Sequence, residues 1–419
     1  MPAGATRPVA TIWLPFSIAY FLCNALRNIN AVLVPELTAE FALTASQLGL
    51  LTSVFYIGFS IMQLPAGILL DRYGSRRVHA TLMIVAAAGC ALHAMGGSFL
   101  AIALGRALIG LGLAVGLMSA AKSIAQWFAL PRVPLALNML MAVGGLGAIV
   151  AAGPVGWSLD YVSWRMVFSA AAGLLLLASA LLYFVVPDRH EAGSRQSLST
   201  LAAGFGVVFA NGTFWRLGLM MAVMSGTNTA MQSLWIGPWL RDVGGFDRPQ
   251  SLALMTWLAL AAVAGYIVVG TACDWLIRRG ARALTLYKIQ CCIVIVLFAL
   301  IALAGREAMP LWFAYFAMGS GGPLVLAMLS RRFTPEFTGR VNTASNVLLF
   351  SLAFLFQWGV GVALDFWPVI DGRYAAEGYR AAFMVLTALQ FAMFVVLVVG
   401  EKPQTAIGVV GGVAPVAKA

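Results

Sequence analysis

Four polar side chains lie on one face of the first long apolar stretch of the chain. At about 100° per residue, Tyr20, Asn24, Arg27 and Asn28 fall within an arc of roughly 100°. An ionisable side chain in a membrane helix costs at least about 2.5–3.5 kcal/mol, so Arg27 needs a partner or a water-filled cavity. The planar guanidinium group fits a carboxylate or a phosphate. We therefore predict that Arg27 binds the anionic group of a substrate, with the other three side chains beside it.

A second polar stripe falls on the helix predicted over residues 213–239. Asn228, Gln232 and Trp235 share one face there and offer neutral hydrogen-bonding groups without a second cation. Lys122 lies on a polar stripe of its own, nearer to one end of its helix. It either faces the same cavity or extends its ammonium group to the membrane surface. The remaining predicted substrate-binding residues are Tyr56, Asn138 and Asn346.

The fifteen acidic residues decide the expected sign of charge in this cavity. Every one of them lies at a predicted helix end or in a loop, so we expect no carboxylate near the membrane midplane. A cavity with one or two cations and no acid has a positive potential, which low-dielectric walls focus. The pattern therefore favours an anionic substrate over a cationic one.

The composition is that of a membrane protein. Of the 419 residues, 61% are hydrophobic and only 10% are charged, whereas a soluble domain carries about a quarter charged residues. The net charge of +11 lies in short loops, where it indicates membrane orientation rather than binding of nucleic acid. We find no nucleophile–base pair, metal-ligand cluster or phosphate loop, so we predict neither an enzyme nor a cofactor or metal.

Twelve apolar runs are long enough to cross a bilayer, which takes about 20 residues each. The longest polar break follows the sixth run. We therefore predict an all-α membrane protein with twelve transmembrane helices in two pseudo-symmetric six-helix bundles. The predicted divisions are an N-terminal bundle (1–187), a cytoplasmic linker (188–212), a C-terminal bundle (213–400) and a cytoplasmic tail (401–419).

The distribution of lysine and arginine predicts the orientation. With the N-terminus inside, eighteen of the 26 basic residues fall in inside segments, six fall outside, and Arg27 and Arg106 lie within the membrane. Cytoplasmic loops carry such an excess. We therefore predict that both termini are cytoplasmic.

The two halves of the chain are similar to each other. A shift of 203 residues places Pro35 on Pro238 and Asp71 on Asp274. Parallel repeats with a binding site between them are one transporter architecture. The sequence therefore predicts two copies of one six-helix unit.

Four motifs resemble those of the major facilitator superfamily. The segment GILLDRYGSRR at 67–77 resembles the signature loop between helices two and three, and a weaker copy stands at 270–280. The segment GRALIGLG at 105–112 resembles the helix-four motif, and SWRMVF at 163–168 resembles the start of helix six. The resemblance covers essentially the whole chain and implies alternating access, in which two bundles rock around a central site.

The resemblance also implies a conformational latch in the loop motif. Asp71 can sit at the positive end of a neighbouring helix, while the arginines either pair with acids across the bundle contact or only set the topology. Arg106 of the helix-four motif is expected to pack against neighbouring helices, in a structural or a functional role. The predicted latch residues are Gly67, Asp71, Arg72, Gly74, Arg76, Arg77 and Asp274.

We therefore predict a secondary active transporter of a small organic anion, a carboxylate for preference, with proton-coupled uptake. A carrier of zwitterions or dipeptides and a drug-efflux antiporter are alternatives within the family. A non-transporting ligand sensor on the same fold is an alternative of another class. The expected partners are the small-molecule substrate, a proton and the lipid bilayer of a bacterial inner membrane, and the expected oligomeric state is a monomer.

Overall fold

The computed structural model describes residues 8–188, 205–319, 321–330, 332–333 and 337–399. These residues form helices joined by short loops, with one isolated β-bridge between Ile370 and Arg373. A π-helical turn at Val9–Trp13 precedes the first α-helix. The helices of the first half are α1 (Leu14–Asn28), α2 (Asn30–Phe41), α3 (Ala45–Met95), α4 (Phe99–Leu113), α5 (Gly116–Trp127), α6 (Val133–Val150) and α7 (Trp164–Val185). Those of the second half are α8 (Gly212–Ala230), α9 (Ile236–Asp242), α10 (Arg248–Arg278), α11 (Ala283–Ala304), α12 (Met309–Met318), α13 (Gly322–Ser330), α14 (Thr338–Leu364) and α15 (Ala376–Val399).

Within the described residues, nine helical stretches are long and apolar enough to cross a membrane. The prediction was twelve spans. The stretch Ala45–Met95 contains two of them, and Ala283–Met318 contains one and the start of the next. The predicted seventh span falls on α8 and α9, which are not among the nine stretches. The chain is thus an all-α membrane protein, whereas the cytoplasmic placement of the termini stays a prediction, since residues 1–7 and 400–419 lie outside the described residues.

A single glycine divides α3 into two membrane-crossing segments. Gly74 has φ 78° and ψ 157°, a non-helical conformation that glycine adopts without a Cβ clash. It stands inside the predicted loop motif, so the turn between the second and third predicted spans falls on the motif itself. The motif therefore joins two helices with almost no loop between them.

Glycines also allow close contact between helices. A Cβ atom on Gly58 would overlap the Ala107 carbonyl, and one on Gly110 would overlap the Phe55 carbonyl, so α3 and α4 pack backbone to backbone. On α6, Gly144 makes room for the Tyr20 ring and Gly145 for the Val263 side chain. Small residues therefore hold α6 against both α1 and α10.

The charged ends of the helices give two reference points. We call the end that holds Glu36 and Asp160 the Glu36 end, and the opposite end, with Asp71 and Asp188, the Asp71 end. Two capping boxes start helices at the Glu36 end: Thr44 with Gln47 on α3, and Asp247 with Gln250 on α10. Helix α14 packs along α3, and α10 packs against α6, so these four helices join the two halves of the chain.

Candidate substrate site

Arg27 lies beside a pair of touching aromatic rings near the end of α1. Its guanidinium carbon is 5.3 Å from the ring centroid of Phe59 on α3 and 5.3 Å from that of Phe350 on α14. The centroids of the Phe59 and Phe350 rings are 4.4 Å apart. A guanidinium over an aromatic face gains about 0.5–2 kcal/mol, more when it is desolvated. Arg27 is therefore held by one ring from each half of the chain.

Arg27 has no carboxylate partner among the described residues. Its Nη2 donates a weak hydrogen bond to Cys23 Sγ at 3.8 Å, and its buried Nε has no hydrogen-bond partner. The ion pairs of the described residues all lie elsewhere, at the two ends of the helices. A partly buried guanidinium with unused donors can bind a carboxylate from outside the chain.

The three predicted neighbours of Arg27 lie along α1 as expected. The Asn24 amide donates to the Tyr20 carbonyl at 3.0 Å, and the Asn28 amide donates to the Asn24 carbonyl at 2.8 Å. All three side chains are half-buried. The structure therefore places these side chains along one helix, with Arg27 between Asn24 and Asn28 in the chain.

A cavity lies between the two halves beside Asn28. Its empty volume is about 350 Å³, a figure that includes space open to solvent. Gln232 enters it from the π-helical turn Met231–Trp235, and such turns are frequent at functional sites. The rest of the lining is apolar. These lining residues are Ala31, Ala148, Ala152, Ile236, Met255, Leu258, Ala259 and Phe316.

Toward the Glu36 end, a hydrogen-bond network crosses between the halves. Gln357 Nε2 donates to Thr52 Oγ1 at 2.5 Å, and Ser233 Oγ donates to Gln357 Oε1 at 2.9 Å. Trp235 Nε1 donates to the Gln357 carbonyl at 2.8 Å. Trp235, a predicted substrate residue, is fully buried in this network, so in this conformation it belongs to the closure rather than to the cavity wall.

The other neutral candidates lie outside the lining of this cavity. Tyr56 is 1% exposed, and its ring stacks on Phe350 with 5.8 Å between centroids. Asn228 is half-buried, and its Nδ2 has no hydrogen-bond partner. Asn346 is half-buried one turn from Phe350, on the side of the Asp71 end. Asn138 is exposed on α6, two turns from Gly145 in the same direction.

The structure separates Lys122 from Arg27. Lys122 Nζ is 2.5 Å from Asp71 Oδ1 and donates to the Leu70 carbonyl at 2.9 Å. In this conformation the ammonium group lies at the helix end, and a role of Lys122 in binding substrate stays a prediction. Lys122 therefore joins the loop motif in this conformation and does not add charge to the site of Arg27.

The predicted latch residues of the segment 67–77 make their contacts inside the first half. Arg77 pairs with Asp188 at 2.9 Å, Arg72 lies over the Tyr73 ring, and Arg76 lies over the Tyr183 ring. Within the described chain, no ion pair at the Asp71 end joins the two halves. Gly67 has open space around it, and Asp274 is exposed.

At the Glu36 end the two halves are tied together. Arg248 Nη2 is 2.6 Å from Glu36 Oε1, and its Nε is 3.3 Å from Asp160 Oδ1. The Asp365 carboxylate accepts the backbone N–H groups of Ala45 at 2.9 Å and Ser46 at 3.1 Å, at the start of α3. The positive end of the helix dipole at the start of α3 stabilises a carboxylate in this position. The cavity is thus closed on this side.

Arg106 is packed inside the first half. It is 1% exposed, its Nη1 donates to the Leu26 carbonyl at 3.2 Å, and the rings of Phe55 and Phe168 are 5.9 and 5.6 Å away. The predicted packing against neighbouring helices is what the structure shows. Arg106 also contacts Leu26, the residue before Arg27, so a structural role and a functional role both stay predictions.

One acid is fully buried, although it lies at a helix end. The Asp242 side chain has no exposed surface, pairs with Arg241 Nε at 2.6 Å and accepts from the Tyr379 hydroxyl at 2.9 Å. The loop residue Tyr374 donates its N–H at 3.3 Å, and burial, with the nearby carboxylate, raises the pKa of its phenol to about 12. This satisfied cluster ties α9 to α15 and adds no acid beside Arg27.

The sequence did not single out Phe59 and Phe350. An aromatic residue in an apolar helix is usually packing, so nothing in the pattern separates these two rings from their neighbours. The signal that could have found them is their spacing from polar neighbours, since Phe350 follows Asn346 by one helical turn. Only the fold brings both rings to Arg27.

Comparison with known proteins defines the class of the chain. The family model for the Major Facilitator Superfamily matches residues 16–357, and the chain belongs to that family. It is therefore a multi-pass membrane protein of a transporter family and not of an enzyme family.

The curated relatives are distant. The chain is 25% identical to the transporter YybO of Bacillus subtilis over 62% of this chain and 63% of that protein. It is 23% identical to a hexuronate transporter of Escherichia coli K12 over 56% of this chain and 57% of that protein. It is also 23% identical to a galacturonate transporter of Dickeya chrysanthemi, over 56% of this chain and 72% of that protein. The chain spans less than two thirds of the length of the first relatives it matches.

Solved structures share the fold over almost the whole chain. The nucleoside transporter NupG matches with a TM-score of 0.72 at 14% identity, covering 94% of this chain and 99% of that one. A D-xylose–proton symporter matches with a TM-score of 0.69 at 14% identity, covering 91% and 97%. At this identity the likeness establishes the fold alone.

Proposed function

We propose that this transporter carries small organic anions and that Arg27 binds the carboxylate of the substrate. The observation that carries the proposal is the setting of Arg27. Its guanidinium has no carboxylate partner among the described residues, and it lies beside Phe59 and Phe350, close to a cavity between the halves. Arginine presents a planar pair of donors that matches a carboxylate.

The names of two relatives support a sugar acid as the first substrate class to test. Hexuronate and galacturonate each carry one carboxylate and several hydroxyl groups. The single cation at Arg27 suits one carboxylate. The half-buried amides of Asn28 and Gln232 line the cavity and can bind hydroxyl groups.

We further propose transport by alternating access between two bundles, residues 1–187 and 213–400. The ties between the halves lie at the Glu36 end, while the ion pairs at the Asp71 end lie within the first half. With the predicted cytoplasmic termini, such a conformation opens to the cytoplasm. Uptake driven by a proton gradient, across a bacterial inner membrane, is part of the same proposal.

The test is substrate binding and flux with purified protein. Thermal stability against D-glucuronate, D-galacturonate, a dipeptide, phosphate and an organic cation gives the ligand class, and uptake of labelled glucuronate into proteoliposomes gives transport. Arg27→Ala should insert normally and abolish uptake, and Arg27→Lys should keep a part of it because the charge remains. Arg132→Ala, which removes an exposed arginine outside the loop motif and its weaker copy, is the matched control.

Each alternative has its own outcome in this test. Stabilisation by the cation alone, unchanged in Arg27→Ala, points to a drug carrier and removes the anion site. Stabilisation by the dipeptide points to a zwitterion carrier. Binding without flux points to a ligand sensor. Uptake that alkalinises the outer solution supports coupling to a proton, whereas uptake indifferent to a pH gradient excludes it.

A further inference from the structure

Tyr266 lies on the interior face of α10 and is nevertheless 56% exposed. Taking Met255 as the origin, its phase is about 20°, between buried Ala259 at about 40° and buried Ala262 at about −20°. The next residue, Ile267, lies at about 120° and is 61% exposed on an outward face. The exposure of Tyr266 is therefore not exposure to lipid.

The face that carries Tyr266 is the face that lines the cavity. Met255, Leu258 and Ala259 on the same helix are lining residues, and α10 runs from there toward the Asp71 end. Val263, almost one turn before Tyr266, packs on Gly145 of α6. Tyr266 thus lies almost one turn beyond the Val263–Gly145 contact, toward the Asp71 end.

Tyr266 faces the polar stripe of α1 from the other half of the chain. Gly144 of α6 is against the Tyr20 ring and the adjacent Gly145 is against Val263. Helix α6 therefore holds these faces of α1 and α10 close together, with Tyr266 in electrostatic range of Arg27. The Tyr266 hydroxyl makes no hydrogen bond with another described residue. One phenol from each half therefore lies near the guanidinium, and the phenol of α10 has a free donor and acceptor.

We propose that Tyr266 is a specificity-determining residue that binds a hydroxyl oxygen of a substrate whose carboxylate is on Arg27. The proposal rests on the function proposed above and narrows its substrate class to hydroxylated carboxylates. A site built to hydrogen-bond a substrate hydroxyl discriminates against an analogue that lacks it, because the polar group of the protein then stays unpaired. Tyr266 also brings the second half into contact with the substrate.

The test compares two acids of similar ring size on the full chain. D-Glucuronate carries hydroxyl groups, and cyclohexanecarboxylate carries none. In Tyr266→Phe, the apparent affinity for glucuronate should fall about three- to tenfold, as expected for one neutral hydrogen bond, with cyclohexanecarboxylate binding unchanged. Tyr161→Phe removes the same hydroxyl from a tyrosine that is 90% exposed and is the matched control.

The outcomes separate the two proposals. If Tyr266→Phe weakens both acids equally, or leaves glucuronate binding unchanged while Arg27→Ala abolishes it, Tyr266 has no role in specificity and the anion site remains. If the unmodified protein binds neither acid, both proposals fail. The thermal transition of Tyr266→Phe without ligand should match that of the unmodified protein, since the ring and its packing are kept.

Discussion

The guanidinium of Arg27 on α1 lies 5.3 Å from the ring of Phe350 on α14, so one cation–aromatic contact crosses the interface between the two halves. Phe59 of α3 completes the arrangement at the same distance. A movement of α14 away from α3 would separate these rings and change the surroundings of Arg27. The affinity of Arg27 for an anion is therefore expected to depend on the distance between the halves.

The first prediction concerns Phe350. In Phe350→Leu the volume is largely kept but the aromatic face is lost, so Arg27 loses a contact of about 0.5–2 kcal/mol. The apparent Km for glucuronate uptake should rise about two- to thirtyfold by that estimate. Phe354→Leu, one turn further along α14, is the control, because its ring stacks on Trp358 instead. Equal effects of both variants would contradict a specific role of Phe350.

The second prediction concerns closure of the Glu36 end. Arg248→Gln removes both ion pairs with Glu36 and Asp160, each worth about 0.2–1 kcal/mol because these groups are partly exposed. Together the two pairs contribute about 0.4–2 kcal/mol, so the population open at this end should grow about two- to thirtyfold. In a cysteine-free chain, a cysteine at buried Ser251 should then react correspondingly faster with a membrane-impermeant thiol reagent.

A matched control for Arg248 lies at the same end. Arg165 pairs with Glu40 at 2.7 Å, but both residues belong to the first half. Arg165→Gln should therefore leave the labelling rate at Ser251→Cys unchanged. Labelling that rises equally in both variants would mean general loosening of this end and would rule out a gate at Arg248.

The third prediction separates the two interpretations of Lys122. If Lys122 acts through Asp71, then Lys122→Met and Asp71→Asn should each change the maximal uptake rate by up to about fivefold without changing Km. The double variant should behave like either single one, because the two residues share one interaction. A raised Km in Lys122→Met alone would place Lys122 at the substrate instead.

The fourth prediction tests the contact between α3 and α4. Gly110→Ala forces a methyl group onto the Phe55 carbonyl, and overpacking of this kind costs about 1–3 kcal/mol. The apparent melting temperature should fall by several degrees. Gly173→Ala, on α7 with open space around it, should leave the melting temperature unchanged or raise it slightly. A stable Gly110→Ala protein would mean that the two helices separate easily.

The sequence by itself determined the helical membrane fold and the choice of Arg27. Both follow from local properties, since a run of apolar residues must form a helix in lipid and a cation inside it needs a special setting. A loop between the second and third spans was expected from the motif at 67–77, and the polar stripe of Tyr20, Asn24 and Asn28 follows from helical phase. The motif indicated which residues of the chain could form the latch. It did not indicate the partners that these residues contact in this conformation.

Only the tertiary structure decided which side chains surround Arg27 and which end is closed. Phe59, Phe350 and Tyr266 look like packing residues in the sequence, because aromatic side chains in apolar helices carry no signal of a cavity. Lys122 could reach the cavity or the helix end, and the long flexible side chain left this open until Asp71 was seen beside it. Contacts such as that between Arg248 and Glu36 join residues far apart in the chain, and helical phase alone does not relate one helix to another.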